Sequence, residues 1–145
     1  MFWFFLSACA SSGKINGEDW GPPAAVHFDF SQEDRLMVIM SDLPSLCAEL
    51  ASGEPPRGNY WVMSLWTQNR ALEAGSYKAD GYFLRADGED VVEWTPTEAS
   101  INVSSQEEEL LSGVYEAKFS EENFLTGSFE APNCDGVYLF SGMGE

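Results

Sequence analysis

The chain holds a single histidine, His27, and that residue bounds most of the chemistry open to it. A zinc site of the H-E-x-x-H kind needs two imidazoles on one helix face, and no cysteine cluster at zinc-binding spacing stands in for them. A nucleophilic serine would have to take His27 as its base, yet no Gly-x-Ser-x-Gly elbow is present. In Ala25-Val26-His27-Phe28-Asp29-Phe30 the histidine alternates with apolar residues, which places it on the outer face of a strand, without the perturbing neighbours that mark a chemical role. No Walker loop or dinucleotide turn occurs, so neither a nucleotide cofactor nor a resident metal is expected.

Paired carboxylates could perform acid–base work on a glycan. With 24 Asp+Glu, however, some close pair follows from composition alone. The densest acidic stretches, Asp87-Gly88-Glu89-Asp90 and Glu107-Glu108-Glu109, could offer oxygen ligands to Ca²⁺ but lack the alternating spacing of a calcium loop. The first reads more simply as a turn between strands, with Gly88 permitting φ > 0. The aromatic residues carry the better hint of binding. Tyr60, Trp61, Trp66 and Trp94, with Tyr82, exceed what a domain of this size needs. An exposed row of them could stack on sugar rings or anchor a protein partner. The competing reading is that both faces of the Tyr60–Trp66 strand are covered and the rings are core.

Charge narrows the partners further. Seven Lys+Arg against 24 Asp+Glu leave a formal charge of −17, which makes nucleic acid a poor candidate partner and none is expected, since phosphate binding needs cationic side chains. The same charge repels an anionic membrane surface, so membrane contact must come through an anchor. It also keeps copies of the domain apart and soluble.

The N-terminus offers a candidate for such an anchor, the competing reading being an apolar segment that merely packs on the domain. Met1-Phe2-Trp3-Phe4-Phe5-Leu6-Ser7-Ala8-Cys9-Ala10 is an apolar run ending in small residues, the layout of a secretion signal and its cleavage site. Leu6-Ser7-Ala8-Cys9 resembles the lipobox of bacterial lipoproteins, in which the cysteine becomes the lipid-bearing first residue. That resemblance implies a multiply acylated Cys9, meeting the need for more than one chain in a stable anchor. Ala10, not aspartate, follows it, which in Gram-negative lipoproteins implies the outer membrane. The run departs from the pattern in having no Lys or Arg before it and only eight residues upstream of Cys9. A working signal needs a basic start and about 7–15 apolar residues, so translation is expected to begin upstream. With Cys9 lipidated, Cys47 and Cys134 remain as an even pair in an oxidising compartment and are expected to form a disulfide. Two buried thiols acting as small hydrophobes are the alternative.

The elements that must position these residues read mostly as strands. After a signal segment at 1–9 and a Gly/Ser/Pro-containing tether at 10–23, one domain spans 24–145. Val26, Phe28 and Phe30 share one strand face; Leu36-Met37-Val38-Ile39-Met40 is apolar throughout, as a central strand would be. Leu43–Leu50 suits one short helix, with Pro44 in its first turn and Ser41 or Asp42 as cap. Further strands are expected at Tyr60–Trp66, Gly75–Leu84, Val91–Thr95 and Ser100–Ser104. The clearest element is a hairpin from Leu111 to Ala131. Pairing Phe119 with Leu125, Ala117 with Gly127 and Tyr115 with Phe129 leaves Glu121-Glu122-Asn123 as a three-residue loop. Gly-x-aromatic-x-Ala recurs at Gly75, Gly113 and Gly127 at irregular spacing, which excludes a solenoid. A strand glycine lets the sheet coil, and an aromatic on the neighbouring strand can cover the gap.

Together these features predict an all-β fold, an antiparallel β-sandwich of about seven to nine strands with one short helix. Leu125-Thr126-Gly127-Ser128-Phe129-Glu130-Ala131-Pro132-Asn133-Cys134, with the lipobox and Cys47, resembles the closing strand of small lipoproteins from myxobacteria-like envelopes. The resemblance implies a fold and a location, and carries no activity with it. The expected function is a lipid-anchored, non-catalytic domain of the outer membrane or cell envelope, binding or scaffolding an envelope protein or glycan. A glycan- or calcium-binding surface module is the alternative, followed by a small carboxylate hydrolase.

Overall fold

Strands of alternating polarity must bury their apolar face against another layer, and here one continuous antiparallel sheet curls round to cover its own. The structure, a computed structural model, describes residues 11–15, 18–19, 23, 25–29, 36–51, 58–67, 73–88, 90–107 and 110–134. Its elements are β1 (Ser11–Ile15), β2 (Glu18–Asp19), β3 (Ala25–Asp29), β4 (Met37–Ser41), α1 (Leu46–Ala51), β5 (Asn59–Thr67), β6 (Gly75–Asp87), β7 (Asp90–Trp94), β8 (Glu98–Gln106), β9 (Leu110–Lys118) and β10 (Phe124–Pro132). The sheet runs β2-β1-β10-β9-β8-β6-β5-β4-β3, with β7 attached to β6. Phe28 of β3 then bridges Asn133, and the Cys134 N–H donates to the Phe28 carbonyl at 2.9 Å. That seam joins β3 to the end of β10, so the path from β10 to β3 encloses one core in a barrel-like or sandwich-like wrap. The all-β, antiparallel fold with one short helix is as expected.

Two apolar clusters follow from strand alternation. Inside the wrap lie Val26, Phe28, Val38, Met40, Met63, Leu65, Phe83, Ile101, Tyr115 and Phe129, from strands all around it. Burying each large ring or branched chain here is worth about 1.5–3 kcal/mol. On the outer side of β4, β5 and β6, Met37, Ile39, Val62, Tyr82 and Leu84 form a second cluster, with Leu43 and Leu46 at α1 packed on it. Strand β4 is buried on both faces, which explains its unbroken apolar run. The Ser41 hydroxyl ties it to β5 by donating to the Trp61 carbonyl at 2.7 Å, and accepts from Leu43 N–H at 3.0 Å before α1. The helix begins at Leu46, later than Leu43, because Leu43 closes a preceding turn by accepting from Leu46 N–H.

The last hairpin corrects the expected register by two residues. Ala117 pairs with Leu125, Tyr115 with Gly127 and Phe129 with Gly113, and residues 119–123 form the connection. Within it the Phe119 and Ser120 N–H groups both donate to the Asn123 carbonyl. A shift of two keeps every side chain on its face, so alternation cannot detect it. The interior decides: Tyr115 opposite Phe129 would set two rings against each other, whereas each now faces a glycine. A Cβ on Gly113 would lie 2.2 Å from the Asn102 carbonyl oxygen and 3.3 Å from the Phe129 ring, so the glycine is required there.

The expected tether is also corrected in part. Residues 11–15 form β1 and pair with β10 from Ser11↔Gly127 to Lys14↔Phe124. The backbone edge of β10 not taken by β9 would otherwise stay open, and unpaired edges attract a strand. The lipobox-like segment, Cys9 included, lies outside the described residues, as does Phe30.

Candidate functional site

The site is built where the sheet closes. Val26 and Phe28 point inward, so strand alternation turns His27 outward, against α1 and the residues that follow β10. Cys47 lies in the first turn of α1, and Cys134 sits immediately beyond the Phe28–Asn133 bridge. The two sulfurs stand at disulfide distance, 2.13 Å, with Cα atoms 5.9 Å apart. Cys134 is buried at 2% exposure, whereas Cys47 is half-buried and reachable from solvent. The imidazole completes the group. One ligand atom from each of His27, Cys47 and Cys134 lies within 4.8 Å of the others. Among the described residues, no other trio of His, Cys, Asp or Glu side chains is gathered as metal ligands would be.

The environment of His27 sets its protonation. Burial lowers its pKa below 6.5, opposed in part by a hydrogen bond to the Pro132 backbone. Proline offers only a carbonyl, so the imidazole donates. Nδ1 is buried and has no hydrogen-bond partner among the described residues. The ring is therefore neutral near pH 7, and one of its nitrogens keeps a lone pair that no hydrogen bond uses. Burial likewise raises the Tyr60 hydroxyl above 10.0.

The aromatic residues do not assemble into one exposed row. Tyr60 and Trp61 are each 8% exposed and belong to opposite clusters. Trp61 stacks on Phe83 with centroids 5.5 Å apart, and Trp94, half-buried, leans on the same ring at 5.8 Å. Trp66, also half-buried, meets Tyr82 edge-on at 6.2 Å on the other face. Trp61 and Trp66 thus face opposite sides of β5, and both sides are covered.

The acidic stretches serve turns. Asp87 pairs with Asp90 across the β6–β7 hairpin, where Gly88 takes φ 67° and its N–H donates to Asn59 Oδ1. The Asp87 carboxylate meets Arg85 Nε at 3.2 Å. Glu107 and Leu110 exchange backbone hydrogen bonds at the β8–β9 turn. Glu89, Glu108 and Glu109 lie outside the described residues.

Elsewhere, β6, β8, β9 and β10 line a groove of about 600 Å³. The register sets Lys78, Ser100, Glu116 and Thr126 in one row across it, and Glu98, Lys118 and Phe124 in the next. Phe124 is 48% exposed there. Charges of both signs, hydroxyls and one ring therefore share a concave face. Neither this groove nor the His27–cysteine group was found from the sequence. The groove comes from cross-strand register, and the group joins chain positions far apart. The one available signal was His27 on an outer strand face in a chain whose two cysteines were expected to pair.

Among the described residues, no helix is long and apolar enough to cross a membrane. No family model, curated protein or solved structure matches the chain.

Proposed function

We propose that this chain is an exported, lipid-anchored envelope domain that acts by binding rather than by catalysis. The observation that carries this reading is the Cys47–Cys134 pair at disulfide distance, joining α1 to the seam of the sheet. Such pairs persist in oxidising compartments, and the lipobox-like Leu6-Ser7-Ala8-Cys9 is the address that would take the chain to one. Intact mass of the protein from the native membrane fraction, with and without reductant, tests it. The expected result is a chain beginning at acylated Cys9 that gains two hydrogens on reduction. An unmodified N-terminus with all cysteines as free thiols would overturn it.

A glycan is the ligand class that the groove favours. Its mixed donors and acceptors suit sugar hydroxyls, and the exposed Phe124 ring offers a face for stacking. Equilibrium binding to envelope polysaccharide fragments should be detectable and should weaken roughly two- to tenfold with Phe124→Ala, an aromatic contact being worth about 0.5–1.5 kcal/mol. Equal binding by the variant would count against this choice of face.

A further inference from the structure

We propose that the reduced form of this protein holds a thiophilic divalent cation of the Zn²⁺ class between His27, Cys47 and Cys134, so that the disulfide and the metal site are alternative states of one group. Three observations carry the assignment. The ligand atoms already lie within 4.8 Å of one another. The buried Nδ1 of His27 has no hydrogen-bond partner among the described residues, while the ring is held by the Pro132 backbone. Around a metal-bound histidine one ring nitrogen usually donates to a carbonyl or carboxylate, which leaves the other to ligate. Finally, the three residues come from separate stretches of chain that meet at one seam, with Cys134 N–H bonded to the carbonyl of Phe28, next to His27.

The chemistry balances with a dithiol as reductant. Two electrons and two protons from the dithiol cleave the Cys47–Cys134 bond, giving two protein thiols and the disulfide of the reductant. Of the two cysteines Cys47 is the less buried, so attack is directed there. Zn²⁺ then displaces both thiol protons to solvent and binds two thiolates and the neutral imidazole. Once the covalent bond is gone, the sulfurs separate to non-bonded contact at about 3.8 Å, which is also the edge of a tetrahedron with Zn–S bonds of about 2.3 Å. Three protein ligands leave a fourth position for water or an exogenous donor, as in open rather than closed zinc sites. Soft thiolates with one imidazole favour Zn²⁺ over Mg²⁺ or Ca²⁺.

The test uses the full chain with Cys9→Ser throughout, so that its thiol does not compete. The protein is reduced anaerobically, freed of reductant and titrated with Co²⁺ and then Zn²⁺. The expected result is a thiolate-to-cobalt charge-transfer band that saturates at one ion per chain, is displaced by Zn²⁺, and is absent before reduction. His27→Gln should weaken binding at least about tenfold, since even outer partners of zinc ligands are worth 10–100-fold. No band in the reduced protein, or equal affinity in H27Q, would overturn the proposal. Circular dichroism covers loss of fold on reduction. Recovery of the β signal with stoichiometric Zn²⁺, lost in H27Q, supports the site; a chain that stays unfolded with Zn²⁺ overturns it.

Discussion

Removing the Cys47–Cys134 pair should cost this domain a large part of its stability. The two positions are 87 apart in the chain, and closing a loop of that length removes about 15 cal/mol/K from the denatured ensemble, or about 4.6 kcal/mol at about 25 °C. A single domain has only about 5–15 kcal/mol to lose. The native geometry argues for most of this value, because backbone contacts with β3 at the seam already hold the end of β10, and with it Cys134, in place. The suitable variant is Cys47→Ala with Cys134→Ala, since a serine hydroxyl at the buried position 134 would need a new partner. Urea unfolding of oxidised protein and double variant should show the midpoint falling and the slope m rising, as the uncrosslinked chain exposes more surface when it unfolds. By heat, the same loss corresponds to a Tm lower by roughly 10–18 °C for a domain near this size. A loss under about 1 kcal/mol with m unchanged would refute the claim that this pair restrains the denatured chain.

Three further outcomes follow from the packing. Gly81→Ala should cost about 1–3 kcal/mol by urea unfolding, because a Cβ there would lie 2.4 Å from the Ser64 carbonyl oxygen and force β5 and β6 apart. Thr67→Val should cost about 1–3 kcal/mol by the same assay, since the buried Leu36 N–H donates to the Thr67 hydroxyl at 3.0 Å and would lose that acceptor. Stability should also depend on His27. Its pKa is lowered in the fold, so the unfolded chain binds the proton more readily; stability is full above 6.5 and falls as pH drops from there toward the folded value. Unfolding midpoints measured on either side of 6.5 should show that loss, and H27Q should remove its part; a variant with the same pH profile would exclude His27 as the cause.

Much of this architecture was legible because side-chain period and strand face are local properties. Val26 and Phe28 inward with His27 outward follows from alternation, the buried strand at Met37–Met40 follows from an unbroken apolar run, and both hold in the structure. The turn at Gly88 is equally local. What alternation cannot carry is any displacement by two residues, and there the hairpin register differs. The space opposite Tyr115 and Phe129 selects Gly127 and Gly113, and that space exists only once the sheet has coiled. Segment 11–15 illustrates the same limit: its Gly/Ser composition suits a tether, but the open edge of β10 turns it into a strand.

The candidate site divides along the same line. Residue types by themselves singled out Cys47 and Cys134 as a natural pair and limited the chain to one histidine that could join them. Only the tertiary structure decided that His27 stands beside that pair. Pairing of β3 with the end of β10 is a contact between distant parts of the chain, set by closure of the sheet around its core. Spacing along a sequence records neighbours within a strand or helix; a group assembled across a seam is recorded only in how the strands close.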